Sequence, residues 1–129
     1  MNVDFSPEEL AFQQEVQEFL KEKLPKSISE RVLVGLSPTK ENFVSWQKTL
    51  NEKGWAAVNW PVEYGGTGWT PTQKYIWANE CAKVGAPDVI PFGLKMVAPV
   101  IYTFGKEEQK KRFLPDILAS NVWWCQGYS

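Results

Sequence analysis

The chain is organised around residues 55–87, which open with Trp55-Ala56-Ala57-Val58-Asn59-Trp60-Pro61-Val62-Glu63-Tyr64-Gly65-Gly66-Thr67-Gly68-Trp69. This stretch holds four of the seven tryptophans, together with a cluster of glycines and prolines. Tryptophan supplies large apolar rings to bury, and glycine allows backbone conformations with positive φ. We interpret the stretch as a packed, aromatic-rich connector between helices.

The glycines of this stretch do not match a nucleotide-binding loop. A dinucleotide fingerprint requires G-x-G-x-x-G between a strand and a helix, and a P-loop requires Lys-Ser/Thr after its last glycine. Neither pattern occurs at residues 64–68. We therefore predict successive turns at Trp60-Pro61 and at 64–68, with a helix beginning at Thr70.

Length and composition indicate one globular domain. The chain has 129 residues, of which 43% are hydrophobic and 22% charged, and domains run to roughly 100–200 residues. Binding of nucleic acid or an anionic membrane requires an excess of positive charge, and the net charge of this chain is −1. We therefore expect neither as a partner. No apolar run approaches the roughly 20 residues that span a bilayer, and Met1 is not followed by a signal sequence. We expect a cytoplasmic protein.

Residue chemistry excludes several classes of active site. The chain contains no histidine, so a Ser-His-Asp or Cys-His site cannot be built, and we expect no metal site. Two cysteines, Cys81 and Cys125, are too few for a disulfide scaffold and have no adjoining basic residue. We predict that both are buried thiols.

Capping signals divide the rest of the chain into helices. Ser6, Pro7 and Glu9 form a capping box with proline at the first helical position, and Pro25 ends the helix. Further helices are predicted at about 39–53 and 71–84 and from about 106 onward. Residues 26–38 lose helical periodicity and are predicted to be a loop.

The segment 88–104 is apolar on nearly every face, which implies burial on more than one side. Pro99 removes an amide donor and disfavours the α region at Ala98, so we predict two short helical pieces joined by a break. A break between buried helices is a place where a ligand could bind.

Residues 122–129 are rich in strand formers, and a strand begins there. A lone strand has no partner for its backbone groups, so we expect the chain to be a fragment. The predicted fold class is all-α: an up-and-down or orthogonal helical domain of about five to six helices, ending in a truncated β-strand.

Four patterns occur in order along the chain. They are Ser6-Pro7-Glu8-Glu9; Gly54-Trp55 leading to Pro61-Val62-Glu63-Tyr64-Gly65-Gly66-Thr67-Gly68; Phe104-Gly105-Lys106-Glu107-Glu108-Gln109-Lys110-Lys111-Arg112-Phe113-Leu114-Pro115; and Cys125-Gln126-Gly127-Tyr128-Ser129. In this order they resemble the amino-terminal helical domain of acyl-CoA dehydrogenases, flavoenzymes that desaturate acyl thioesters. The resemblance spans nearly the whole chain.

The resemblance implies a three-domain enzyme. Residues 1–120 would form the amino-terminal helical domain and residues 121–129 the start of the central β domain, while a carboxy-terminal helical bundle lies outside the chain. It implies FAD as cofactor, with Gln126, Tyr128 and Ser129 as flavin contacts. The carboxylate that removes the proton α to the thioester is expected outside this chain, so no catalytic residue is assigned here. We expect the fragment alone to be inactive and not to retain FAD.

The resemblance also implies that the helical domain lines the tunnel for the acyl chain. The candidate substrate contacts are Phe92, Gly93, Met96, Val97 and Val100. Gly93 is included because a missing side chain leaves room, and simple core packing is the alternative for each position. The implied partners are an acyl-CoA substrate, an electron-transferring flavoprotein as acceptor, and further subunits in a homo- or hetero-oligomer, commonly a tetramer in the family.

Two other interpretations remain open. The chain could be a non-catalytic helical interaction module that retains the family scaffold, in which case segment 88–104 would be a partner surface. It could also be a helical domain unrelated to flavin, which leaves the four ordered patterns unexplained. The sequence does not distinguish straight, branched, dicarboxylic and steroid-derived acyl groups.

Overall fold

The computed structural model of the chain describes residues 4–128, which form two compact units. The first comprises residues up to 38 and 69–87, and the second comprises 39–68 and the residues from 88 onward. The described residues contain six α-helices: α1 (Pro7–Lys23), α2 (Lys26–Leu33), α3 (Lys40–Lys53), α4 (Pro71–Val84), α5 (Ala98–Phe104) and α6 (Glu107–Leu118). A 3₁₀ turn spans Val62–Tyr64 and a π-helical segment spans Phe92–Val97. The all-α class is confirmed.

The first unit is built on the packing of α1 against α4. Both helices begin at reciprocal capping boxes, in which Ser6 pairs with Glu9 and Thr70 pairs with Gln73. These boxes satisfy amide donors that the first helical turn leaves without a partner, so the sequence alone places both helix starts. The predicted starts are confirmed.

Aromatic rings fill the core between α1 and α4. Phe12 meets Trp69 edge-on with ring centroids 5.1 Å apart, and Trp69 lies 5.9 Å from Trp77. Trp77 also lies 6.2 Å from Phe19. The aromatic residues at 69 and 77 therefore contribute to packing in this unit, as the connector interpretation requires of its tryptophans.

The helix α2 corrects the prediction of a loop at 26–38. Its start has no side-chain cap, so the sequence lacks here the N-cap signal that marks α1 and α4. Tertiary contacts supply the stabilisation instead: Ile28 is buried, and the Ser29 hydroxyl donates to the Val84 carbonyl at the end of α4. A Cβ at Gly85 would lie 2.8 Å from the Ser29 carbonyl oxygen, so the glycine permits this close approach.

The second unit contains α3, residues 55–68 of the connector, the π-helical segment, α5 and α6. Its buried cluster consists of Ala57, Trp60, Leu94, Ala98, Ile101, Leu114 and Ile117. The connector folds back on itself, since Gly66 donates to the Pro61 carbonyl and a Cβ at Gly66 would lie 1.6 Å from the Trp60 carbonyl oxygen. Only glycine fits there. The predicted turns are confirmed.

Three further expectations differ from the structure. Segment 88–104 contains no break at Pro99, because the π-helical segment runs directly into α5. Residues 123–128 adopt no strand, since nothing in the described part of the chain pairs with them. Cys125 is exposed and Cys81 is half-buried, so neither is a fully buried thiol. Ser129 lies outside the described residues.

Within residues 4–128, no helix is long and apolar enough to cross a membrane.

A buried carboxylate joins α4 to α1. Glu80 is 3% exposed, and its oxygens accept hydrogen bonds from Gln13 Nε2 (3.0 Å), Gln17 Nε2 (3.3 Å) and Lys83 Nζ (3.2 Å). Burial alone would raise the pKa of Glu80, but the three hydrogen bonds together outweigh it and hold the pKa below its ordinary value. The folded unit therefore favours the ionised form.

We expect Glu80→Gln to lower the free energy of unfolding by about 1–3 kcal/mol at neutral pH, since it breaks a buried charge-assisted network. The lowered pKa gives stabilisation that is present above the unfolded-state pKa and is lost as pH falls through the folded-state pKa. Denaturant unfolding measured from neutral to acidic pH should show this loss in the native chain and a smaller one in the variant. Glu52→Gln, on the exposed face of α3, serves as the matched control and should change stability by less than about 0.5 kcal/mol. Equal acid sensitivity in the native chain and Glu80→Gln would contradict the assignment.

Candidate functional site

The candidate site is built on the π-helical segment, whose backbone departs from α-helical hydrogen bonding. The Ala98 amide donates to the Gly93 carbonyl, five residues back. Pro99, the next residue, has no amide proton, so it cannot donate to Leu94. The indole Nε1 of Trp60 donates to the Leu94 carbonyl instead, at 2.7 Å, in a buried position.

The five predicted substrate contacts lie on one continuous helical stretch but differ in exposure. Gly93 is buried, and Phe92 and Val97 are half-buried. Met96 is 45% exposed and Val100 is 57% exposed. Met96 and Val100 therefore form an apolar face that the second unit leaves uncovered, and that face continues to Phe104, which is 82% exposed.

Gly93 does not leave the empty space that the sequence argument assigned to it. A Cβ placed on Gly93 would lie 3.1 Å from Ile117 Cγ2 and 3.4 Å from Trp124 Cδ1. The missing side chain allows the π-helical segment to approach α6 and the segment that follows it closely. Its structural effect is close packing rather than open volume.

One predicted flavin contact, Gln126, lies beside one predicted substrate contact, Met96. The Gln126 amide Nε2 lies 3.4 Å from the Met96 sulfur, within the range of a weak N–H···S hydrogen bond. Tyr128 is 87% exposed and Gln126 is also exposed. Polar groups that could contact a cofactor and apolar groups that could contact an acyl chain therefore adjoin in the same unit.

A small cleft in the second unit adjoins the buried residues of the π-helical segment. It is lined by Gln47, Ile90, Gly93, Leu94, Ile117, Ser120, Val122, Trp123 and Trp124. The buried indole N–H of Trp124 has no hydrogen-bond partner among the described residues. Gln47, also buried, donates its amide to the carbonyls of Ile117 and Leu118 at 2.8 and 3.1 Å.

The contribution of α3 was not predicted from the sequence. The last carbonyls of a helix have no partner within that helix. Gln47 donates to the last two carbonyls of α6, of which that of Ile117 also accepts from the Ser120 amide. Lys48 Nζ donates to the Ala119 carbonyl at 2.9 Å and to Asn121 Oδ1 at 2.8 Å. The sequence signal for this contact was Gln47 itself. It lies in the apolar stripe of the helix predicted at about 39–53, where a buried amide requires a hydrogen-bond partner.

One residue of the basic group on α6 faces the protein. Lys110 Nζ donates to Tyr64 Oη and to Glu107 Oε1, both at 3.1 Å, and lies 5.4 Å from the centre of the Tyr64 ring. These hydrogen bonds, first that to Tyr64, raise the pKa of Lys110. Lys111 and Arg112 are exposed. Lys110 therefore tethers α6 to the connector.

The chain matches a known protein family. Residues 6–121 match the family model described as acyl-CoA dehydrogenase, N-terminal domain. The match covers nearly the whole chain. The chain belongs to the acyl-CoA dehydrogenase family, as its amino-terminal helical domain.

Individual relatives agree with this placement. The acyl-CoA dehydrogenase IpdE1 of Mycolicibacterium smegmatis is 40% identical over 86 residues, a match that covers 66% of this chain and 22% of the relative. The ChsE4–ChsE5 complex from Mycobacterium tuberculosis matches with a TM-score of 0.70 and 29% identity, covering 95% of this chain and 30% of the solved one. The Tcur3481–Tcur3483 steroid ACAD matches with a TM-score of 0.72 and 28% identity, covering 95% and 31%. This chain thus spans between about a fifth and a third of these relatives.

We expect Gly93→Val to lower the free energy of unfolding by about 1–3 kcal/mol, because the added methyl groups would overlap Ile117 and Trp124. Gly127→Val is the matched control, since a Cβ there meets nothing within 4 Å, and it should change stability by less than about 0.5 kcal/mol. Denaturant unfolding of both variants measures the difference. A Gly93→Val variant as stable as the native chain would show that the position is open rather than packed.

Proposed function

We propose that this domain serves a flavin-dependent acyl-CoA dehydrogenase that introduces a double bond between the α and β carbons of an acyl-CoA thioester. The observation that carries the proposal is the family match over residues 6–121. The contact between Gln126 and Met96 supports it, because it joins the polar segment with the apolar face. Proton abstraction is assigned to a carboxylate outside this chain.

FAD is the cofactor we propose, and the described residues fit it. Gln126 and Tyr128 present an amide and a phenol to solvent, and the hydrogen bond from the Gln126 amide to the Met96 sulfur is a weak one. Such groups can hydrogen-bond the polar edge of a flavin ring without losing a strong partner. When bound, FAD supplies the hydride acceptor for the oxidation. Ser129 is retained as a third proposed contact from the resemblance alone.

The acyl group is proposed to lie against the uncovered apolar face. Met96 and Val100 are the best placed of the five predicted contacts, since both are exposed and lie one helical turn apart. An acyl chain needs only an apolar, water-poor surface, and flexible methionine adapts to its shape. Phe92 and Val97 are half-buried and would contact the ligand with part of their side chains, while Gly93 would act by allowing close packing.

We further propose that the complete protein assembles from several subunits and passes its electrons to an electron-transferring flavoprotein. Likeness to a solved structure that is a complex of two named proteins supports assembly. The acceptor follows from the family resemblance. The alternative, a non-catalytic subunit of such an assembly, differs because the protein that contains this domain would bind no flavin and give no turnover by itself.

The substrate class is tested by comparing thioesters. Likeness to a structure described as a steroid ACAD supports including a steroid-derived acyl-CoA beside straight-chain acyl-CoAs. The enzyme that contains this domain should reduce a dye acceptor with at least one of them. Absence of turnover together with absence of bound flavin would favour the non-catalytic alternative.

We expect Met96→Trp to lower kcat/KM for the longest accepted acyl-CoA by about tenfold or more relative to the shortest, because a larger ring on the face shortens the space for the chain. Steady-state kinetics on a series of acyl-CoAs measures the ratio. Tyr75→Trp adds a tryptophan at an exposed position of α4 and should leave the ratio unchanged. An unchanged ratio in Met96→Trp would remove this residue from the acyl site.

We expect Gln126→Leu to lower the amount of FAD retained by the purified enzyme, because leucine keeps the bulk of the side chain but cannot hydrogen-bond the ring. Absorbance of bound flavin per protein, measured after gel filtration, gives the occupancy. Gln14→Leu is the matched glutamine-to-leucine control, since its exposed side chain pairs with Glu18 on α1, and it should leave the FAD occupancy unchanged. Equal FAD occupancy in Gln126→Leu and the native enzyme would contradict the assignment.

A further inference from the structure

The π-helical segment contains a backbone carbonyl that its own helix cannot satisfy. In π-helical geometry each amide bonds the carbonyl five residues back, as Ala98 does to Gly93. The following pair would be residue 99 with Leu94. Proline at 99 carries no amide proton, and the Leu94 carbonyl therefore loses its helical donor.

A side chain from the connector supplies the missing donor. The Trp60 indole Nε1 donates to the Leu94 carbonyl at 2.7 Å, across 34 positions of sequence. Trp60 is 5% exposed and Leu94 is 4% exposed, so water does not offer a ready replacement. Because the indole takes the place of the missing amide as donor, the buried Leu94 carbonyl keeps a hydrogen bond despite the wider π turn.

The wider turn decides which side chains face outward. A π turn holds one more residue than an α turn, which rotates the residues before it by about 100° relative to those after it. With the turn in place, Leu94, Ala98 and Ile101 are buried. Met96 and Val100 are exposed on the apolar face.

We propose that Trp60 is a positioning residue for the apolar face. Its indole replaces the amide that Pro99 lacks, and this pair fixes the register of residues 92–104 and therefore the direction of Met96 and Val100. The identity of the ligand on this face rests on the proposed function. The register itself concerns only this chain.

The register is tested by a double-mutant cycle on the chain itself, with Trp60→Phe, Pro99→Ala and the double variant. Trp60→Phe should lower the folding equilibrium constant by about tenfold to a hundredfold, because the carbonyl stays buried without a donor. In that background Pro99→Ala restores an amide for Leu94. The factor by which Pro99→Ala raises the folding equilibrium constant should therefore be at least about tenfold larger in the Trp60→Phe background than in the native chain. The same factor in both backgrounds would overturn the proposal.

A second measurement needs no variant at Trp60. In Pro99→Ala the new amide competes with the indole for the Leu94 carbonyl. Hydrogen exchange of the Trp60 indole proton, followed by NMR, should accelerate by about tenfold or more over the native chain. The Trp123 indole, which donates to Ser120 Oγ, is the internal control and should not change. An unchanged Trp60 rate would count against competition for that carbonyl.

The consequence for the ligand is tested in the complete enzyme. Trp60→Phe should change the ratio of kcat/KM between a long and a short acyl-CoA by about tenfold, as expected when a pocket wall shifts. Trp55→Phe, a similarly buried tryptophan outside the cluster around Leu94, should not. Turnover with an unchanged ratio would overturn the positioning role. Absence of acyl-CoA turnover in the native enzyme would instead refute the proposed function and leave the register result standing.

Discussion

In the second unit, the buried Leu94 carbonyl depends on the Trp60 indole for its hydrogen bond. Pro99 makes this bond necessary, because it removes the helical donor at the point where the backbone is buried. Ala57, Ala98 and Leu114 pack in the same cluster. One interaction therefore ties the aromatic connector to the helix that carries the candidate ligand face.

The same principle, a helix carbonyl satisfied from another element, recurs at the end of α6. There Gln47 and Lys48 of α3 donate to three carbonyls at the end of the helix. Each such bond contributes about 0.5–1.5 kcal/mol, and leaving the buried groups unpaired would cost more. These bonds hold the end of α6, from which the chain continues to the proposed flavin contacts Gln126 and Tyr128 without a strand partner among the described residues.

The candidate site shows why a family resemblance locates a region better than it explains each residue. The five predicted positions do share one helical stretch, as expected from the resemblance. Gly93, chosen because it leaves room, instead lies against Ile117 and Trp124. The spacing of residues along the chain does not show whether a glycine leaves an empty space or allows a neighbouring side chain to pack against the backbone.

The sequence by itself determined the all-α class, the capped starts of α1 and α4, the position of α3, the turns of the connector and the family. These features depend on local rules: Ser6 and Thr70 cap amides within three residues, and Gly66 permits a close backbone approach nearby. Only the tertiary structure decided the helix α2, the π turn before Pro99 and the absence of a strand after Val122. Each of these depends on a partner distant in sequence. Ile28 is buried by packing, Leu94 needs the indole of Trp60, and a strand needs a neighbour that the described chain does not provide.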